Sequence, residues 1–495
     1  MNAIKSDEVK LADSGRHRAE LNINSLNVLR ARYLKKDDRG DIIEAPSDMF
    51  LRVAKAVAKP ESRYGGDVQE AEREFYDMMS DLDFLPNSPT LMNAGTQKQM
   101  LSACFVLPIE DSLEQIFDSV KNTAVIEQVG GGVGFSFSRL RPKGDMVGST
   151  KGAASGPVSF MHIFDTTTEV IKQGSRRRGA MMGILDVSHP DIVEFITSKA
   201  EQGKLKNFNI SVAVGEKFMR AVKDDGEFPL INPRTKQVVK RVPARELFAL
   251  ISASAWRTGD PGMIFIDEIN RSNPTPKLGR IESTNPCGES PLLNYESCNL
   301  GSINLSNMVE GGKMDYGKLR RVIHTAVHFL DNVIDANRYP VKQIGDITKG
   351  NRKIGLGVMG FAEMLIKLKV PYDSKKALGV ASKVMRFISK EADNKSVELA
   401  NRRGSFPNKK YSNLKFNKIR NATRTSIAPT GTISIIAQTS SGIEPLFAVS
   451  FIRDVLDGTK MLEVNSLFEE VARQRGFYSR DLMMQISRKG SVQKI

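Results

Sequence analysis

Residues Ser283–Leu305 read STNPCGESPLLNYESCNLGSINL and hold two of the chain's three cysteines. Pro286 and Gly288 disfavour a regular helix or a central strand, so we expect Cys287 to lie on a tight loop that presents its sulfur. Glu289 follows two residues later, and in an extended loop its carboxylate reaches the same small ligand as the thiol. Such a pair suits radical chemistry or a nucleophile with its base. The alternative is that the cysteines are buried small apolar residues.

Composition restricts the class of protein. The chain has 495 residues, 40% of them hydrophobic and 26% charged, and its 72 Lys+Arg against 57 Asp+Glu give a net charge of +15. No apolar run approaches the roughly 18 residues of a membrane span, and the amino end is too polar for a secretory signal. We therefore expect a cytoplasmic protein without a membrane partner. The positive charge favours an anionic partner, which can be a nucleic acid or nucleotide phosphates.

The pattern of apolar residues predicts a mainly parallel α/β arrangement, because strand-like runs alternate with helical ones. An irregular charged arm is expected before the first helix. The predicted helices start at Met49 or cover Val68–Leu82, Ser112–Val129, Gly317–Ala336, 362–368 and 374–401. The predicted strands are CFVL, opened by Cys104, and Phe135–Leu140, which lies between two glycine-rich loops. The first of these loops, GGGVG, is not a dinucleotide fingerprint, because a strand follows it where a helix should.

Three further constellations are candidate sites. Ile427–Gly442 reads IAPTGTISIIAQTSSG, a tight turn that enters a helix, and the helix N-terminus favours a phosphate or is an ordinary cap. Lys172–Gly183 contains four cations that grip phosphates or form a solvated turn. His324 and His328 share one helix face but lack the glutamate of a zinc motif and a third ligand, so we expect packing or solvent-facing roles and no metal site.

Seven motifs follow one another along the chain: RYLKKDDRGDIIEAPSDMFLRVA, SPTLMNAG, SACFVL, NPCGE, SCNLGSINL, NRKIGLGVMGFAEML and APTGTIS. Taken together, they resemble the catalytic subunit of ribonucleotide reductase, specifically the adenosylcobalamin-dependent class II enzymes. The resemblance covers nearly the whole chain, and several motifs in the right order are more specific than any one of them. It overturns the alternative of buried apolar cysteines.

The resemblance implies an α/β fold, a ten-stranded α/β barrel of two five-stranded half-sheets with a central finger loop. The finger loop carries the radical cysteine through the centre of the barrel. The expected organisation is an arm over residues 1–45, a helical region over 46–110 that leads into the barrel, and the barrel over 111–495 with the finger loop near 285–289.

The family's chemistry then assigns a role to each cysteine. Cys287 matches the thiyl-radical position that abstracts the substrate's 3′-hydrogen. Glu289 would be the base for the 3′-hydroxyl, and Asn285 would hold the ribose. Cys104 and Cys298 would supply two electrons as the 2′-hydroxyl leaves as water, and would finish as a disulfide. That pairing requires their Cα atoms to lie within about 7 Å.

The resemblance also implies two nucleotide sites. In the family, PTGTIS corresponds to the site for the substrate diphosphate, and nearby hydroxyl-bearing segments assist. The substrate positions carried over are Ser88, Thr90, Ser102, Ala103, Pro429, Thr430, Gly431, Thr432, Ile433 and Ser434. A deoxynucleoside triphosphate effector binds at the interface of a homodimer and reshapes a loop that selects the base. The effector positions carried over are Asp111, Ser112, Arg141, Lys172, Gln173 and Arg177.

The motifs also bear on class and partners. The NPCGE form and the start of the chain favour the adenosylcobalamin class over the class I large subunit, which needs a separate radical-generating subunit. The expected partners are a ribonucleotide and thioredoxin or a similar reductant, with no nucleic acid. The chain stops at GSVQKI, short of the family's last barrel elements. We therefore expect a split gene whose second chain completes the barrel, or a truncated form. A truncated nucleotide-binding regulatory subunit without activity is an alternative function.

Overall fold

Helices and strands alternate along the chain, as the apolar pattern predicted. The computed structural model describes residues 19–146, 152–171, 179–201, 203–455 and 459–495. The helices are α1 (Ile23–Arg32), α2 (Pro46–Ala58), α3 (Val68–Ser80), α4 (Ser88–Asn93), α5 (Leu113–Gln128), α6 (Pro157–Ile171), α7 (Ile192–Thr197), α8 (Glu216–Lys223), α9 (Ala244–Thr258), α10 (Ile266–Arg271), α11 (Tyr316–Ala336), α12 (Lys342–Asn351), α13 (Phe361–Lys367), α14 (Lys375–Arg403), α15 (Ile433–Ile436), α16 (Ser466–Gln474) and α17 (Arg480–Lys489).

The strands are short, and most of them are buried. They are β1 (Phe84–Pro86), β2 (Cys104–Val106), β3 (Gly132–Ser136), β4 (Met181–Asp186), β5 (Phe208–Val214), β6 (Glu227–Ile231), β7 (Val238–Pro243), β8 (Gly262–Phe265), β9 (Ser283–Thr284), β10 (Pro291–Leu292), β11 (Ser297–Asn304), β12 (Val309–Glu310), β13 (Lys313–Met314), β14 (Ile354–Met359), β15 (Ser450–Val455) and β16 (Thr459–Val464).

Eight of the strands form one mixed sheet. Strands β2, β3, β4, β5 and β8 are parallel neighbours in that order. Strand β11 is antiparallel to β2 and β1 and parallel to β14. A five-stranded parallel group is thus joined to a second group through the β2–β11 pair. Parallel strands with helical connections fit an α/β barrel.

Two apolar cores lie on the two sides of this junction. One contains side chains of α1–α4, α11, α13 and α14 together with β11 and β14. The other contains α5, α6, α7 and α9 together with the parallel strands β2 to β5. A small third cluster contains Cys104, Cys298 and their neighbours on these two strands. The junction of the two sheet groups therefore carries two of the three cysteines.

A buried charged network anchors the start of β14. The fully buried carboxylate of Asp331, on α11, contacts the guanidinium groups of Arg352 at 2.9 Å, Arg403 at 3.1 Å and Arg420 at 3.2 Å. Burial opposes ionisation of Asp331, but the three arginines outweigh it and lower the pKa of the carboxyl group well below its usual range. Arg352 also binds Asp335 at 2.8 Å. The residue before Lys353 and β14 is therefore fixed against α11.

The structure differs from the sequence-based expectation at two places. The expected irregular arm contains helix α1, whose N-cap Asn22 accepts from the Ser25 amide at 2.9 Å, and Ser25 Oγ donates to the Ile435 carbonyl. The prediction of an irregular segment was wrong there, because α1 is held by tertiary packing rather than by its own weak pattern. The strand predicted at Phe135–Leu140 overlaps β3 only at Phe135 and Ser136, because β3 begins at Gly132, inside the expected glycine-rich loop, and ends at Ser136.

Candidate active site

A cavity of about 300 Å³ lies where the two sheet groups meet. It collects residues from sequence segments that are hundreds of positions apart. Its lining includes many of the residues singled out in the sequence: Ser88, Ala103, Cys104, Asn285, Cys287, Glu289, Pro429, Thr430, Gly431, Thr432 and Ile433. The cavity thus brings together the Cys287 loop, Cys104 and the PTGTIS segment.

Cys287 lies on a tight loop, as predicted. The loop is the tip of a small hairpin made by β9 and β10, and the Gly288 amide donates to the Asn285 carbonyl across the turn. Gly288 has φ of 86°, a left-handed conformation that suits glycine. Cys287 is exposed, whereas Asn285 is 1% exposed. The loop therefore exposes the Cys287 sulfur, while the Asn285 end of the loop is fixed in the protein.

Asn285 and Glu289 have different surroundings within this loop. The Asn285 side chain accepts from the Ser290 amide at 2.9 Å and donates to Cys104 Sγ at 3.2 Å. Glu289 Oε1 lies 3.9 Å from the same sulfur, and Glu289 Oε2 is buried without a hydrogen-bond partner among the residues that the structure describes. A buried carboxylate oxygen without a partner on a cavity wall is ready to accept a proton or a hydrogen bond from a ligand.

Cys104 and Cys298 are direct partners in the antiparallel β2–β11 pair. Residues opposite each other in such a pair have Cα atoms about 4.5–5.5 Å apart, which lies within the range of disulfides. Cys104 lines the cavity, and Cys298 lies behind it among Leu292, Leu300 and Val106. Burial raises the pKa of the Cys298 thiol to about 12, although the charge of Lys353 acts in the opposite direction. The distance required for the predicted pair is met.

The PTGTIS segment forms a turn followed by the short helix α15. Thr430 has φ of 56°, and its hydroxyl accepts from the Gly442 amide at 2.7 Å. This contact fixes the turn and leaves the hydroxyl proton available to a ligand. Ser434 does not line the cavity, since its hydroxyl contacts Ser441 Oγ at 2.9 Å. Ser434 therefore supports the turn, and its direct contact with the substrate stays a prediction.

Two other predicted substrate neighbours also lie behind the wall. Thr90 is 1% exposed and donates to the Leu101 carbonyl at 2.9 Å. Ser102 is 1% exposed and accepts from Asn337 Nδ2 at 2.8 Å. Neither residue lines the cavity: the Thr90 hydroxyl bonds to the segment that precedes β2, and the Ser102 hydroxyl bonds to the residue that follows α11. Ser88 does line it, and its hydroxyl bonds to that of Tyr33 at 2.7 Å.

Asn87 is a cavity residue that the sequence reasoning missed. Its Oδ1 caps α4 by accepting from the Thr90 amide at 3.0 Å. Its Nδ2 is buried and has no hydrogen-bond partner in the described part of the chain. The sequence NSPT indicates that the residue before Ser-Pro caps a helix. The cap uses only the amide oxygen, so it gives no sign that Nδ2 is unpaired. Such a donor on the wall suits an oxygen of a polar ligand.

The glycines of GGGVG let the cysteine loop approach β3 closely. A Cβ atom on Gly134 would lie 1.7 Å from the Thr284 carbonyl oxygen, and one on Gly132 would lie 2.8 Å from the Pro286 ring. No side chain fits between strand and loop at these positions. The glycines therefore serve the placement of the cysteine loop, and Gly131 and Gly132 also line the cavity.

The predicted effector residues lie at one end of α5. Asp111 accepts from Arg141 Nε at 2.9 Å, and both side chains are partly exposed. Ser112 is the N-cap residue of α5. The described structure thus places Asp111, Ser112 and Arg141 together, with the arginine bound to the carboxylate. The other three predicted positions, Lys172, Gln173 and Arg177, lie outside the described residues.

The two histidines of α11 bind carboxylates. His324 Nε2 lies 3.0 Å from Glu391 Oε2, and His328 Nε2 lies 2.7 Å from Glu61 Oε1. Their role is therefore to hold α11 against its neighbours. Within the described ranges, no helix combines the length and the apolar character that a membrane crossing requires.

Two family models match this chain, and both describe domains of ribonucleotide reductase. The model described as "Ribonucleotide reductase, all-alpha domain" matches residues 19–99. The model described as "Ribonucleotide reductase, barrel domain" matches residues 102–419 and 412–495. Together they span nearly all of the described chain.

Individual proteins similar to this chain carry names of the same family. A vitamin B12-dependent ribonucleoside-diphosphate reductase of Thermoplasma acidophilum is 52% identical, over 96% of this chain and 70% of that protein. A protein of the same name from Mycobacterium tuberculosis is 50% identical, over 96% of this chain and 69% of its own length. A ribonucleoside-diphosphate reductase large subunit of variola virus is 32% identical over 78% of this chain. The chain therefore belongs to the ribonucleotide reductase family.

Proposed function

We propose that this chain is an adenosylcobalamin-dependent ribonucleotide reductase that converts ribonucleotides to deoxyribonucleotides by thiyl-radical chemistry. The observation that carries the proposal is the direct pairing of Cys104 with Cys298 beside a cavity that Cys287 also lines. Family membership supports the reaction, and relatives at 50% and 52% identity are named vitamin B12-dependent ribonucleoside-diphosphate reductases. A diphosphate substrate is the form that those names favour.

The residues present fit the radical-generating cofactor. Cys287 is exposed on its loop, so its sulfur is open to a bulky group, whereas the neighbouring Asn285 is buried. Bound adenosylcobalamin would supply the radical equivalent that converts the Cys287 thiol to a thiyl radical. The reversible transfer of the substrate's 3′-hydrogen to the Cys287 sulfur then begins the reaction.

The remaining steps use side chains of the cavity wall. Glu289 takes the 3′-hydroxyl proton, a role that its unpaired buried Oε2 supports. Cys104 protonates the leaving 2′-hydroxyl, which departs as water. Cys104 and Cys298 together give two electrons and a second proton and form a disulfide, so the substrate carbon gains hydrogen in place of oxygen. Cys287 then returns the 3′-hydrogen, and Glu289 returns its proton to the 3′-oxygen. During these steps Asn285 orients the ribose and Cys104. Its hydrogen bond to the Cys104 sulfur supports this role.

The substrate contacts follow from the cavity lining. The phosphates would bind the PTGTIS turn through Thr430, Gly431, Thr432 and Ile433, with Ser88 nearby. Asn87 would donate from its unpaired Nδ2 to a substrate oxygen. Thr90, Ser102 and Ser434 support these residues from behind the wall.

A deoxynucleoside triphosphate effector and a homodimer also belong to the proposal. Asp111, Ser112 and Arg141 would hold the effector at the start of α5, once the ligand competes for the arginine. Exposed apolar side chains on the adjacent helices support a dimer through this face: Leu113 is 64% exposed, Phe117 51% and Val170 65%. Thioredoxin or a similar dithiol would reduce the disulfide.

The finer architecture is proposed as well. The parallel group β2, β3, β4, β5 and β8 is consistent with one five-stranded half of a ten-stranded barrel, and β11 and β14 with part of the other. The hairpin loop near 285–289 would be the finger loop. We retain 1–45 as an arm, which includes α1, 46–110 as the helical region, and 111–495 as the barrel.

Ribonucleotide reduction by the purified chain tests the function. The assay contains adenosylcobalamin, dithiothreitol and each ribonucleoside diphosphate in turn, and compares the wild-type chain with Cys287→Ser, each with and without a candidate completing chain. We expect deoxynucleotide only from the wild type, and equal activity of the Cys287→Ser chain would overturn the proposal. Activity that required a separate radical-generating subunit in place of the cobalamin would favour a class I large subunit.

A further inference from the structure

Lys353 is the cation placed level with Cys298. In the parallel pair of β11 and β14, Asn299 is opposite Ile354 and Leu300 is opposite Gly355. One step back along both strands, Lys353 is therefore opposite Cys298. Side chains alternate between faces with a period of two. A Cβ on Gly355 would lie 3.6 Å from Cys298 Sγ, so Lys353, two residues earlier, shares the face of that sulfur.

The ammonium group of Lys353 is buried and held by a carboxylate. Lys353 is 2% exposed, and its Nζ lies 2.6 Å from Oε2 of Glu296, which is 0% exposed. Glu296 also accepts from the Leu293 amide at 2.8 Å and from Asn351 Nδ2 at 2.6 Å. Glu296 precedes Cys298 by two residues and shares its face. A fully buried ion pair therefore lies beside a fully buried thiol.

The charges around Cys298 act in opposite directions. Lys353 favours a thiolate at this sulfur, whereas Glu296 and Glu289 disfavour it. The remaining titratable neighbours are Cys104, its strand partner, and the phenol of Tyr339, which interacts with the same sulfur. Lys353 is thus the cation through which a negative charge on Cys298 is stabilised.

The two cysteines also differ in their access to solvent. Cys104 lines the cavity, and Cys298 is not among the lining residues. Cys298 is covered by Leu292 and Leu300 and by Ala428. A reductant that enters the cavity therefore meets the Cys104 sulfur of a Cys104–Cys298 disulfide first.

We propose that a dithiol re-reduces the enzyme by attack on Cys104, and that Lys353 stabilises the Cys298 thiolate that leaves. The proposal rests on the proposed function, which forms this disulfide in each turnover. The incoming thiolate forms a bond to Cys104 Sγ, the bond between the two cysteine sulfurs breaks, and the electron pair goes to Cys298. Cys298 then takes the proton that the first thiol lost. The second thiol of the reductant releases Cys104, so two thiols are oxidised and two are formed.

The departure of Cys298 as a thiolate requires such stabilisation. A leaving thiolate departs faster when its pKa is lower, and Cys298 lies where burial makes a thiolate costly. Lys353 acts on the leaving sulfur without touching the substrate and is therefore a positioning residue. Glu296 holds the ammonium in place but also opposes the thiolate, so the two members of the ion pair have opposite effects on the rate.

The site of attack is tested on the oxidised full-length chain. The Cys104–Cys298 disulfide is formed with diamide, limiting glutathione is added, and new thiols are alkylated before peptide mass spectrometry. We expect glutathione on Cys104 and the alkyl group on Cys298. The reverse labelling would overturn the inference while leaving the proposed function intact. If diamide never links these two cysteines, the proposed function itself fails.

The role of Lys353 is tested by the rate at which dithiothreitol reduces the same disulfide, without nucleotide or cobalamin. Glu296→Gln should accelerate reduction several-fold, because the cation remains and the opposing charge is removed. Lys353→Met combined with Glu296→Gln should be about tenfold slower than Glu296→Gln alone. The buried pair Arg52–Glu44, at 2.6 Å, provides the matched control, and Arg52→Met with Glu44→Gln should leave the rate unchanged.

The opposite effects of the two substitutions on the reduction rate distinguish this role of Lys353 from a structural one. Loss of local packing would alter Glu296→Gln and the double variant in the same direction, and thermal unfolding of each variant records such a loss. Equal reduction rates in Glu296→Gln and the double variant would overturn the assignment of Lys353.

Discussion

The side-chain amide of Asn285 donates a hydrogen bond to Cys104 Sγ at 3.2 Å. This contact joins the loop that presents Cys287 to the strand that pairs with Cys298. The other end of the same amide accepts from the Ser290 backbone, so the loop is closed on itself at the same time. The three cysteines are therefore held in one unit, although 194 positions separate Cys104 from Cys298 in the sequence.

Gly134→Ala should displace the cysteine loop. The new Cβ would lie 1.7 Å from the Thr284 carbonyl oxygen, so the strand and the loop must separate. We expect at least a hundredfold loss of ribonucleotide reduction, with a destabilisation of about 1–3 kcal/mol from overpacking. Gly379→Ala is the matched control, because open space surrounds that helical position. It should keep full activity and gain up to about 1 kcal/mol; an active Gly134→Ala chain would contradict the role of this glycine.

Asn87→Ser should weaken substrate use while preserving the fold. Serine keeps an N-cap acceptor for the Thr90 amide but removes the Nδ2 donor that has no partner within the described protein. Loss of one hydrogen bond to a ligand costs about 1–1.5 kcal/mol, so kcat/KM should fall about tenfold. Steady-state kinetics and thermal unfolding measure the two effects. An unchanged kcat/KM would show that Asn87 serves only as the cap of α4.

Stability should fall as the pH rises through neutrality because of Glu127. Burial raises the pKa of this carboxyl to about 7, and a contact with Thr168 acts in the opposite direction. In the unfolded chain the group titrates near 4.5. Between these two values the folded protein binds the extra proton, so the free energy of unfolding decreases with pH across that window.

Glu127→Gln removes this ionisation. The variant and the wild type should unfold at similar temperatures at pH 4, and the variant should be more stable by about 3 kcal/mol at pH 8.5. Calorimetry at both pH values gives the comparison. Parallel pH profiles for the two chains would exclude Glu127 as the source.

Phe117→Asp should weaken the proposed dimer. Phe117 is 51% exposed on α5, and a carboxylate there would be buried against the partner helix without a counter-charge. We expect the dissociation constant to rise at least tenfold in analytical ultracentrifugation, together with loss of the response to deoxynucleoside triphosphates. Val193→Asp, on α7 and 47% exposed, is the control that should behave as the wild type. A Phe117→Asp chain that dimerises normally would place the interface elsewhere.

Local patterns were sufficient for much of the secondary structure. The helix expected at Gly317–Ala336 is α11, Tyr316–Ala336, because its apolar residues recur with the helical period and one face is buried along its whole length. The strand opened by Cys104 is β2. The loop at Cys287 followed from Pro286 and Gly288, whose backbone preferences act without any distant partner.

Other features depend on contacts between distant segments. Helix α1 has little amphipathic pattern of its own and exists because it packs against α15. The sequence excluded a dinucleotide fingerprint at the glycines before and in β3 but gave no reason for them, and only the position of Thr284 provides one. The sequence did not single out Asn87, because only the folded cavity shows that its Nδ2 has no partner among the described residues.

The residue types alone named the chemistry: three cysteines, a carboxylate two positions from one of them, and motifs whose order matches a known family. Which sulfurs can meet is a matter of strand register, and register depends on the closure of the whole sheet rather than on neighbouring residues. Only the folded chain therefore decided that Cys104 lies opposite Cys298 across one edge of β11 and that Lys353 lies level with Cys298 across the other edge.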